Sequence, residues 1–250
     1  MSLRSFIAAL LALTMAGCAT LPPGPRDVRD PLERYNRSMF RVNDAIDRAA
    51  LKPVARGYVR VVPRPVRTGI NHFLTNLGYP RTVINDVLQG KLGDSGRDTA
   101  RLVVNTALGL GFFDPATKMG LDLHNEDFGQ TLGKWGVHSG PYLVLPLLGP
   151  STVRDGLGRI PDEYSTPRHY INDATVRWGI IAVDVVDTRA GLLDTEGLLN
   201  QAFDRYQFVR NAWLQRREYQ VRDGDVPAED FGVDPAVDPA VPDTAAPSSP

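Results

Sequence analysis

The sequence predicts a predominantly helical single domain that follows a short apolar leader. Apolar residues recur at helical spacing in several segments, which is the main indication of amphipathic helices. Glycine (23 residues) and proline (20 residues) are spread through the body of the chain, so we expect many short elements broken by turns. After the leader no run of 18 apolar residues occurs, and the sequence therefore predicts no membrane-spanning helix.

Composition limits the classes of protein to consider. Hydrophobic residues make up 42% of the chain and charged residues 23%, which is ordinary for a folded domain. The formal net charge of −1 produces no long-range field, which argues against a nucleic-acid partner. No sequence motif calls for a cofactor.

Residues 1–17 have the pattern of a secretory signal peptide. Arg4 supplies an early positive charge, an apolar run begins at Phe6, and Ala16 and Gly17 form a small-residue cleavage site. Cys18, the only cysteine in the chain, follows directly, and this arrangement resembles a bacterial lipobox. The alternative is an ordinary signal peptide with a chance cysteine.

Lipidation explains the lone cysteine better than an unmodified thiol does. A single cysteine forms no internal disulfide, and a free thiol is a liability in an oxidising compartment. The following residue is Ala19 rather than the aspartate that resembles an inner-membrane retention signal. We therefore expect a lipid-anchored protein in the outer membrane that faces the periplasm.

The folded domain is expected to begin after a proline-rich tether over residues 18–29. Asp30 followed by Pro31 predicts a helix start with an aspartate N-cap. One apolar stripe of this helix contains Tyr35, Met39, Val42 and Ile46. A neighbouring stripe contains Asn36, Phe40 and Asn43, whose amides predict either solvent-facing or capping residues, or an amide-lined groove or pore.

Three further helices are predicted before residue 113. The first ends at Gly78, the second begins at Pro80 and stops at Gly90, and the third is capped by Asp94 or Ser95. The apolar run 102–113 is too short to cross a bilayer and fits either a core helix or an interfacial helix. Residues 171–187 fit helix or strand equally well.

The last helix and the tail differ in charge. Arg205, Arg210, Arg216 and Arg217 of the last helix are available either for lipid phosphates or for a solvated face. From Asp223 onward the chain is acidic, rich in proline and without basic residues. Its composition predicts a disordered tail over residues 223–250.

Several blocks in chain order resemble one known family. Residues 30–40 read Asp-Pro-Leu-Glu-Arg-Tyr-Asn-Arg-Ser-Met-Phe, and residues 126–137 read Glu-Asp-Phe-Gly-Gln-Thr-Leu-Gly-Lys-Trp-Gly-Val. Further blocks occupy residues 53–71, 85–90, 140–146, 149–155 and 187–194. Together these blocks resemble the MlaA (VacJ) family of outer-membrane phospholipid-transport lipoproteins, and the resemblance covers roughly residues 28–222.

This resemblance implies a ring-like domain of amphipathic helices over residues 30–222, partly embedded in the inner leaflet of the outer membrane, and favours a helix over 171–187. An amphipathic channel would pass misplaced outer-leaflet phospholipids to a periplasmic lipid-carrier protein, with trimeric porins as associated proteins. Asn36, Phe40 and Asn43 are then candidate channel-lining residues. The candidate acyl-chain contacts are Phe112, Phe113, Tyr142, Leu143 and Leu145, although core burial of residues 141–148 is the alternative.

Catalytic motifs are missing from the sequence. In His138-Ser139-Gly140 the serine stands one place late for a nucleophile elbow. His124-Asn125-Glu126 contains the His-x-Glu of zinc deaminases, but no Pro-Cys-x-x-Cys follows, and no other metal-ligand motif occurs. We expect no catalytic residue and no metal site. The alternative functions are a non-transporting envelope scaffold and a membrane-tethered lipid hydrolase.

Overall fold

A computed structural model describes residues 27–225, and this part of the chain is mainly helical, as predicted. Its elements are α1 (Glu33–Ile46), a π-helical turn (Asp47–Leu51), α2 (Lys52–Val61), α3 (Arg64–Leu88), α4 (Leu92–Ala107), α5 (Pro115–Lys118), α6 (Phe128–Lys134), β1 (Tyr142–Leu145), β2 (Gly149–Thr152), α7 (Val153–Tyr164), a 3-10 turn (Pro167–Tyr170), α8 (Ala174–Gly191), α9 (Glu196–Gln201) and α10 (Arg205–Val221). The predicted signal peptide 1–17, Cys18, most of the 18–29 tether and the tail beyond 225 lie outside the described residues.

The helices close into a ring. Helix α1 packs on β1, its hairpin partner β2 packs on α10, and α10 packs on α6. From α6 the ring continues through α3 to α8, and α8 packs on α2. The π-helical turn joins α2 directly to α1 and so completes the circuit. Within residues 27–225 no helix combines the length and the apolar composition that a membrane crossing requires.

Glycines allow α6 and α7 to approach closely at one point of the ring. A Cβ atom on Gly158 of α7 would lie 2.6 Å from the backbone nitrogen of Gly129, and a Cβ on Gly129 would meet Asp155 and Arg217. Only glycine fits at this contact. Helix α6 ends at Lys134, so Gly136 and Gly140 lie outside it.

The first helix starts later than predicted. Asp30 is not its N-cap, because α1 begins at Glu33 after a turn. The Asp30 side chain is buried and accepts hydrogen bonds from Asn36 Nδ2 at 2.7 Å, from Arg210 Nη1 at 3.1 Å and from the Tyr206 hydroxyl. These three donors satisfy the Asp30 carboxylate, so it does not cap the helix.

Two other boundaries also differ from the prediction. Helix α3 runs through Pro80 without a break, because its packing on α4, α6 and α8 outweighs the hydrogen bond that proline removes. Helix α4 begins at Leu92, so Ser95 lies inside it rather than at its cap. Residues 171–187 belong mostly to α8, as the resemblance implied, and this helix continues to Gly191.

Residues 141–148 contain a short strand, β1, that lies between two prolines. Strand β1 pairs antiparallel with β2, with Tyr142 opposite Thr152 and Leu145 opposite Gly149. Of the prolines in this stretch, Pro141 and Pro146 flank β1, where no ladder hydrogen bond is lost. Leu147 (φ 62°) and Gly149 (φ 76°) adopt the left-handed conformation that the tight turn requires.

Two asparagines of α1 bind the free edge of β1. Asn36 Nδ2 donates to the Tyr142 carbonyl at 3.0 Å, and its Oδ1 accepts from Val144 N at 2.8 Å. Two helical turns later Asn43 repeats the arrangement with Leu145 O at 2.9 Å and Leu147 N at 2.8 Å. The predicted amide stripe thus acts as a substitute strand, satisfying backbone groups that an edge would leave unpaired.

Replacing Asn36 is expected to destabilise the domain strongly. Asn36→Ala leaves the Tyr142 carbonyl and the Val144 amide buried without partners, which should cost about 3 kcal/mol of unfolding free energy. The half-buried Asn43 is the matched control, and Asn43→Ala should cost about 1 kcal/mol because water can replace it. Chemical unfolding followed by circular dichroism measures both, and equal losses would contradict the assignment.

Candidate functional site

Burial in the ring is inverted relative to an ordinary globular domain. Among the described residues, buried polar and charged side chains outnumber buried apolar ones. Helix α7 shows the inversion most clearly, because its exposed stripe is apolar and consists of Val153, Leu157, Ile160 and Tyr164. Its opposite face is buried and carries Arg154, Asp155 and Asp162. The outer surface of this helix therefore suits apolar surroundings.

A second exposed apolar group lies in the turn after α4. Leu108, Leu110, Phe112 and Phe113 are all exposed, with Phe113 67% exposed. The Phe112 ring stacks on Phe73 of α3 at a centroid distance of 4.8 Å. This contact fixes the turn on the ring, so that its remaining apolar side chains face outward.

Two adjoining cavities are lined by elements of the ring. The first cavity, of about 380 Å³, is lined mainly by α3 and α8; the second cavity, of about 530 Å³, is lined mainly by α7 and α10. Both include the same four boundary residues, which are Arg81, Asn125, Thr166 and Arg168. Apolar lining residues occur in each, such as Leu74 in the first and Trp213 in the second. The pair of cavities is therefore amphipathic.

One arginine joins three elements beside the second cavity. Arg217 of α10 donates to both carboxylate oxygens of Asp127, which precedes α6, at 2.6 and 2.5 Å, and to Asp155 of α7 at 2.9 Å. Burial raises the pKa of each aspartate, but the Arg217 guanidinium outweighs it and holds both below their usual range. These three residues form an ion-paired structural group, in which only the Arg217 Nε lacks a hydrogen-bond partner.

Asp162 lies in the same cavity without such a partner. Burial, followed by the charge of Asp127, raises the pKa of Asp162 to about 6. Its Oδ1 accepts only neutral donors, the Phe128 amide at 3.0 Å and Asn85 Nδ2 at 3.2 Å. The cavity therefore becomes more positive as the pH falls through this value.

A buried carboxyl pair lies behind the wall of the first cavity. Asp98 of α4 accepts from the Tyr79 hydroxyl at 2.8 Å and from His124 Nδ1 at 3.1 Å. Asp86 of α3 is buried beside Asp98. Burial, and then the hydrogen bond and negative charge of Asp98, raise the pKa of Asp86 well above its usual range, despite the opposing charge of Lys91.

The Asp86 proton should make stability depend on pH. Because the folded chain keeps a proton that the unfolded chain loses near pH 4, the free energy of unfolding should fall as the pH rises from about 4 through the raised pKa. Asp86→Asn removes this contribution, so its melting temperature relative to the unmodified chain should rise between pH 5 and pH 8. If the melting temperatures of the variant and the unmodified chain differ by the same amount at both pH values, Asp86 is charged in the folded protein.

The structure corrects one candidate channel-lining residue and one candidate acyl-chain contact. Asn36 is fully buried with its amide bonded to β1, and it is absent from the lining of both cavities. Tyr142 is 1% exposed and packs against Tyr206 and Trp213 in the small apolar core, so its ring cannot reach an acyl chain. Alternation along β1 points Tyr142 and Val144 inward.

The other candidate residues occupy more open positions. Asn43 is half-buried and held by β1, and Phe40 is half-buried with its ring against Tyr206 at 5.8 Å. Leu143 and Leu145 are half-buried on the side of β1 opposite its buried residues. Asn43 and Phe40 are absent from the lining of both cavities. Phe112 and Phe113 are both exposed.

The arginines of α10 differ in burial, although the sequence analysis treated them as one group. Arg210 and Arg217 are buried in ion pairs, Arg210 with Asp27 at 3.1 Å and with Asp30 at 3.1 Å. Arg216 is exposed and lines the second cavity. Neither solvated-face nor phosphate-binding roles fit the buried pair.

The histidine motifs show no catalytic geometry in the described part of the chain. Ser139 Oγ donates to the adjacent Gly140 carbonyl at 3.3 Å rather than to a histidine. His124 contacts Asp98, while Glu126 accepts from Gln89 and Lys91. Residues 27–225 contain no group of three histidine, cysteine, aspartate or glutamate side chains that could hold a metal ion.

Sequence reasoning missed three of the arginines that line the second cavity. Arg81, Arg159 and Arg168 come from α3, α7 and the 3-10 turn, and they meet only through the closure of the ring. None of them stands in a recognisable motif. The one available signal was the polar face of α7, which carries charges at helical spacing opposite an apolar stripe.

Comparison with known proteins identifies the family. A model of the MlaA lipoprotein family matches residues 28–220. This chain belongs to the MlaA lipoprotein family. It is 34% identical over 233 residues to the Escherichia coli K12 protein named intermembrane phospholipid transport system lipoprotein MlaA, covering 90% of this chain and 92% of that protein.

Other relatives agree with this assignment. The Haemophilus influenzae protein of the same name is 34% identical over 235 residues, covering 90% of this chain and 93% of that protein. A solved structure described as "Structural basis for maintenance of bacterial outer membrane lipid asymmetry" superposes with a TM-score of 0.70 at 36% identity. That match covers 78% of this chain and 100% of the solved chain, so the ring belongs to the MlaA fold.

Proposed function

We propose that this MlaA family member is an outer-membrane lipoprotein that removes misplaced phospholipids from the outer leaflet and so maintains lipid asymmetry. Relatives of nearly the same length are named as lipoproteins of an intermembrane phospholipid transport system. The single observation that carries the proposal is the inversion of α7, with an apolar face outside and a charged face toward the cavities. A phospholipid needs an apolar route for its tails and a polar route for its headgroup.

The two adjoining cavities provide the polar part of the route. We place the apolar outer surface among the acyl chains of the inner leaflet, where helices too short or too polar to span can lie along one leaflet. Lipidation of Cys18 would fix the membrane and the face from which the domain enters. Phe112 and Phe113, together with Leu143 and Leu145, would contact acyl chains.

Partners follow from the same proposal. A periplasmic lipid carrier would receive the phospholipid, and a trimeric porin would hold the ring in the outer membrane. Transport of this kind breaks no covalent bond, so the protein needs no catalytic residue or cofactor. A purely structural scaffold would have no use for a continuous amphipathic route.

Blocking the first cavity should abolish transport. Gly78 lines this cavity, and a Cβ atom there would meet nothing within 4 Å, so a large side chain can enter the space without moving the backbone. In an Escherichia coli strain that lacks its own relative, the unmodified chain should lower outer-leaflet phosphatidylethanolamine, whereas Gly78→Trp should not. Labelling intact cells with a membrane-impermeant amine reagent measures this lipid.

Gly78→Ala is the matched control, and it should behave like the unmodified chain at equal abundance in the outer membrane. Restoration by Gly78→Trp would contradict passage through this cavity and favour the scaffold function. Failure of the unmodified chain, when it is present in the outer membrane, would contradict the proposed function itself.

The apolar turn after α4 should contribute to membrane binding. For the mature chain made without its acyl groups, Phe112→Ser with Phe113→Ser should lower the partition coefficient onto phospholipid vesicles, measured by co-flotation, at least about thirtyfold, because each aromatic ring that enters the membrane contributes about 2 kcal/mol to partitioning. Val28→Ser, at a 93% exposed position before the first helix, is the control and should float normally. Equal flotation of the double variant and the control would exclude this turn from the interface.

A further inference from the structure

The second cavity contains arginines that lack acidic partners at contact distance. Arg159 makes no hydrogen bond or ion pair with any residue between 27 and 225, and Arg81 bonds only to the neutral Asn125 Oδ1 at 2.8 Å. Arg216, also in the lining, has no ion pair within this part of the chain. By contrast, Arg168 pairs with Glu163 at 2.8 Å and with Asp184 at 3.2 Å.

The acids of the same cavity offset these arginines only in part. Asp127 and Asp155 are ion-paired with Arg217, and Asp162 is partly protonated near pH 6. Glu163 is held by Arg168. The cavity therefore has excess positive charge around Arg81 and Arg159.

The unpaired guanidinium groups are also partly desolvated. Burial, opposed by Asp127, lowers the pKa of Arg159, although its side chain can still be reached by water through the cavity. The Nε atoms of Arg81, Arg168 and Arg217, all in the lining of this cavity, are buried and have no hydrogen-bond partner. Donors left without partners at a protein cavity indicate a missing acceptor.

The shape and lining of the cavity restrict the acceptor. Guanidinium groups bind phosphate oxygens with paired, charge-assisted hydrogen bonds, and their planar geometry suits a phosphate better than a lysine point charge does. Trp213 and Leu148 add apolar surface beside the arginines. A volume of about 530 Å³ is large enough for a phosphate with an attached glycerol group.

We propose that Arg81 and Arg159, with Arg168 and Arg216 beside them, bind the phosphodiester of a phospholipid headgroup as it passes from one cavity to the other. This inference rests on the proposed transport function and specifies the group that the route recognises. Arg168 and Arg81 lie at the boundary of both cavities, so the phosphate can be passed along the arginines. A diacylglycerol has the acyl chains of a phospholipid but lacks the phosphodiester, so it should not be recognised by these arginines.

Calorimetric titration of the lipidated protein, held in amphipol, tests the proposal with three probes. Dihexanoyl phosphatidylcholine should bind, and Arg159→Gln and Arg81→Gln should each weaken its binding at least about tenfold. The affinity for dihexanoylglycerol should be the same in all variants. Arg64→Gln is the matched control, because Arg64 is an exposed residue of α3 without an ion pair in residues 27–225, and it should change neither affinity.

Several results would overturn the proposal. Unchanged phosphatidylcholine binding in both glutamine variants would exclude the arginine site, as would an equal loss for both lipids. Inorganic phosphate is the third probe, and binding as tight as that of phosphatidylcholine would indicate a free-phosphate site rather than a headgroup site. Partial rescue by Arg159→Lys with an unchanged melting temperature would support charge recognition over a packing role.

The binding experiment and the cellular transport experiment can fail independently. Restored lipid asymmetry in cells with arginine-independent binding would overturn this inference and leave transport standing. Arginine-dependent phosphatidylcholine binding by a chain that fails to restore asymmetry would support the phosphodiester site and overturn transport.

Discussion

Charged hydrogen bonds between helices distant in sequence hold the ring closed. Arg217 connects α10 to Asp127 and Asp155, and Arg189 of α8 reaches back to Asp47 in the π-helical turn at 2.7 Å. Buried ion pairs of this kind add little net stability, because desolvation offsets most of their Coulomb attraction. They do specify geometry, since removing either partner leaves an uncompensated charge. The hydrophobic effect contributes less to this specification, because many large apolar side chains in the described part of the chain are exposed.

The same inversion links the fold to its surroundings. A ring with apolar residues outside and charges inside would be poorly soluble in water, but acyl chains around α7 and the turn after α4 would remove that penalty. Water in the central cavities keeps the charged face solvated, which explains how Arg159 can be enclosed by protein atoms and still be exposed to solvent. The fold and the proposed membrane placement and lipid route are therefore linked by one burial pattern.

Periodicity predicted the helical class well, because spacing along one helix is a local property. It failed where a side chain acts over a long distance. Asn36 and Asn43 show the same i, i+7 spacing whether they face water, a pore or a strand, and their partners lie more than 100 residues away. The predicted helix break at Pro80 was wrong for a related reason, because tertiary packing decides whether a helix tolerates a proline. The sequence could not predict that Arg81 and Arg159 line one cavity, because only ring closure brings their helices together.

A route for lipids requires binding that is strong enough to attract a headgroup and weak enough to release it. The arrangement in the second cavity satisfies both conditions. Arg217 is already ion-paired with Asp127 and Asp155, whereas Arg81 and Arg159 have donors available but lie near the same two acids, whose charges favour the release of an anion. Arg168, which is paired with Glu163 and Asp184 at the cavity boundary, would have to exchange these acids for an incoming phosphate. A site with fully unopposed arginines would trap the lipid, and one with fully paired arginines would not admit it.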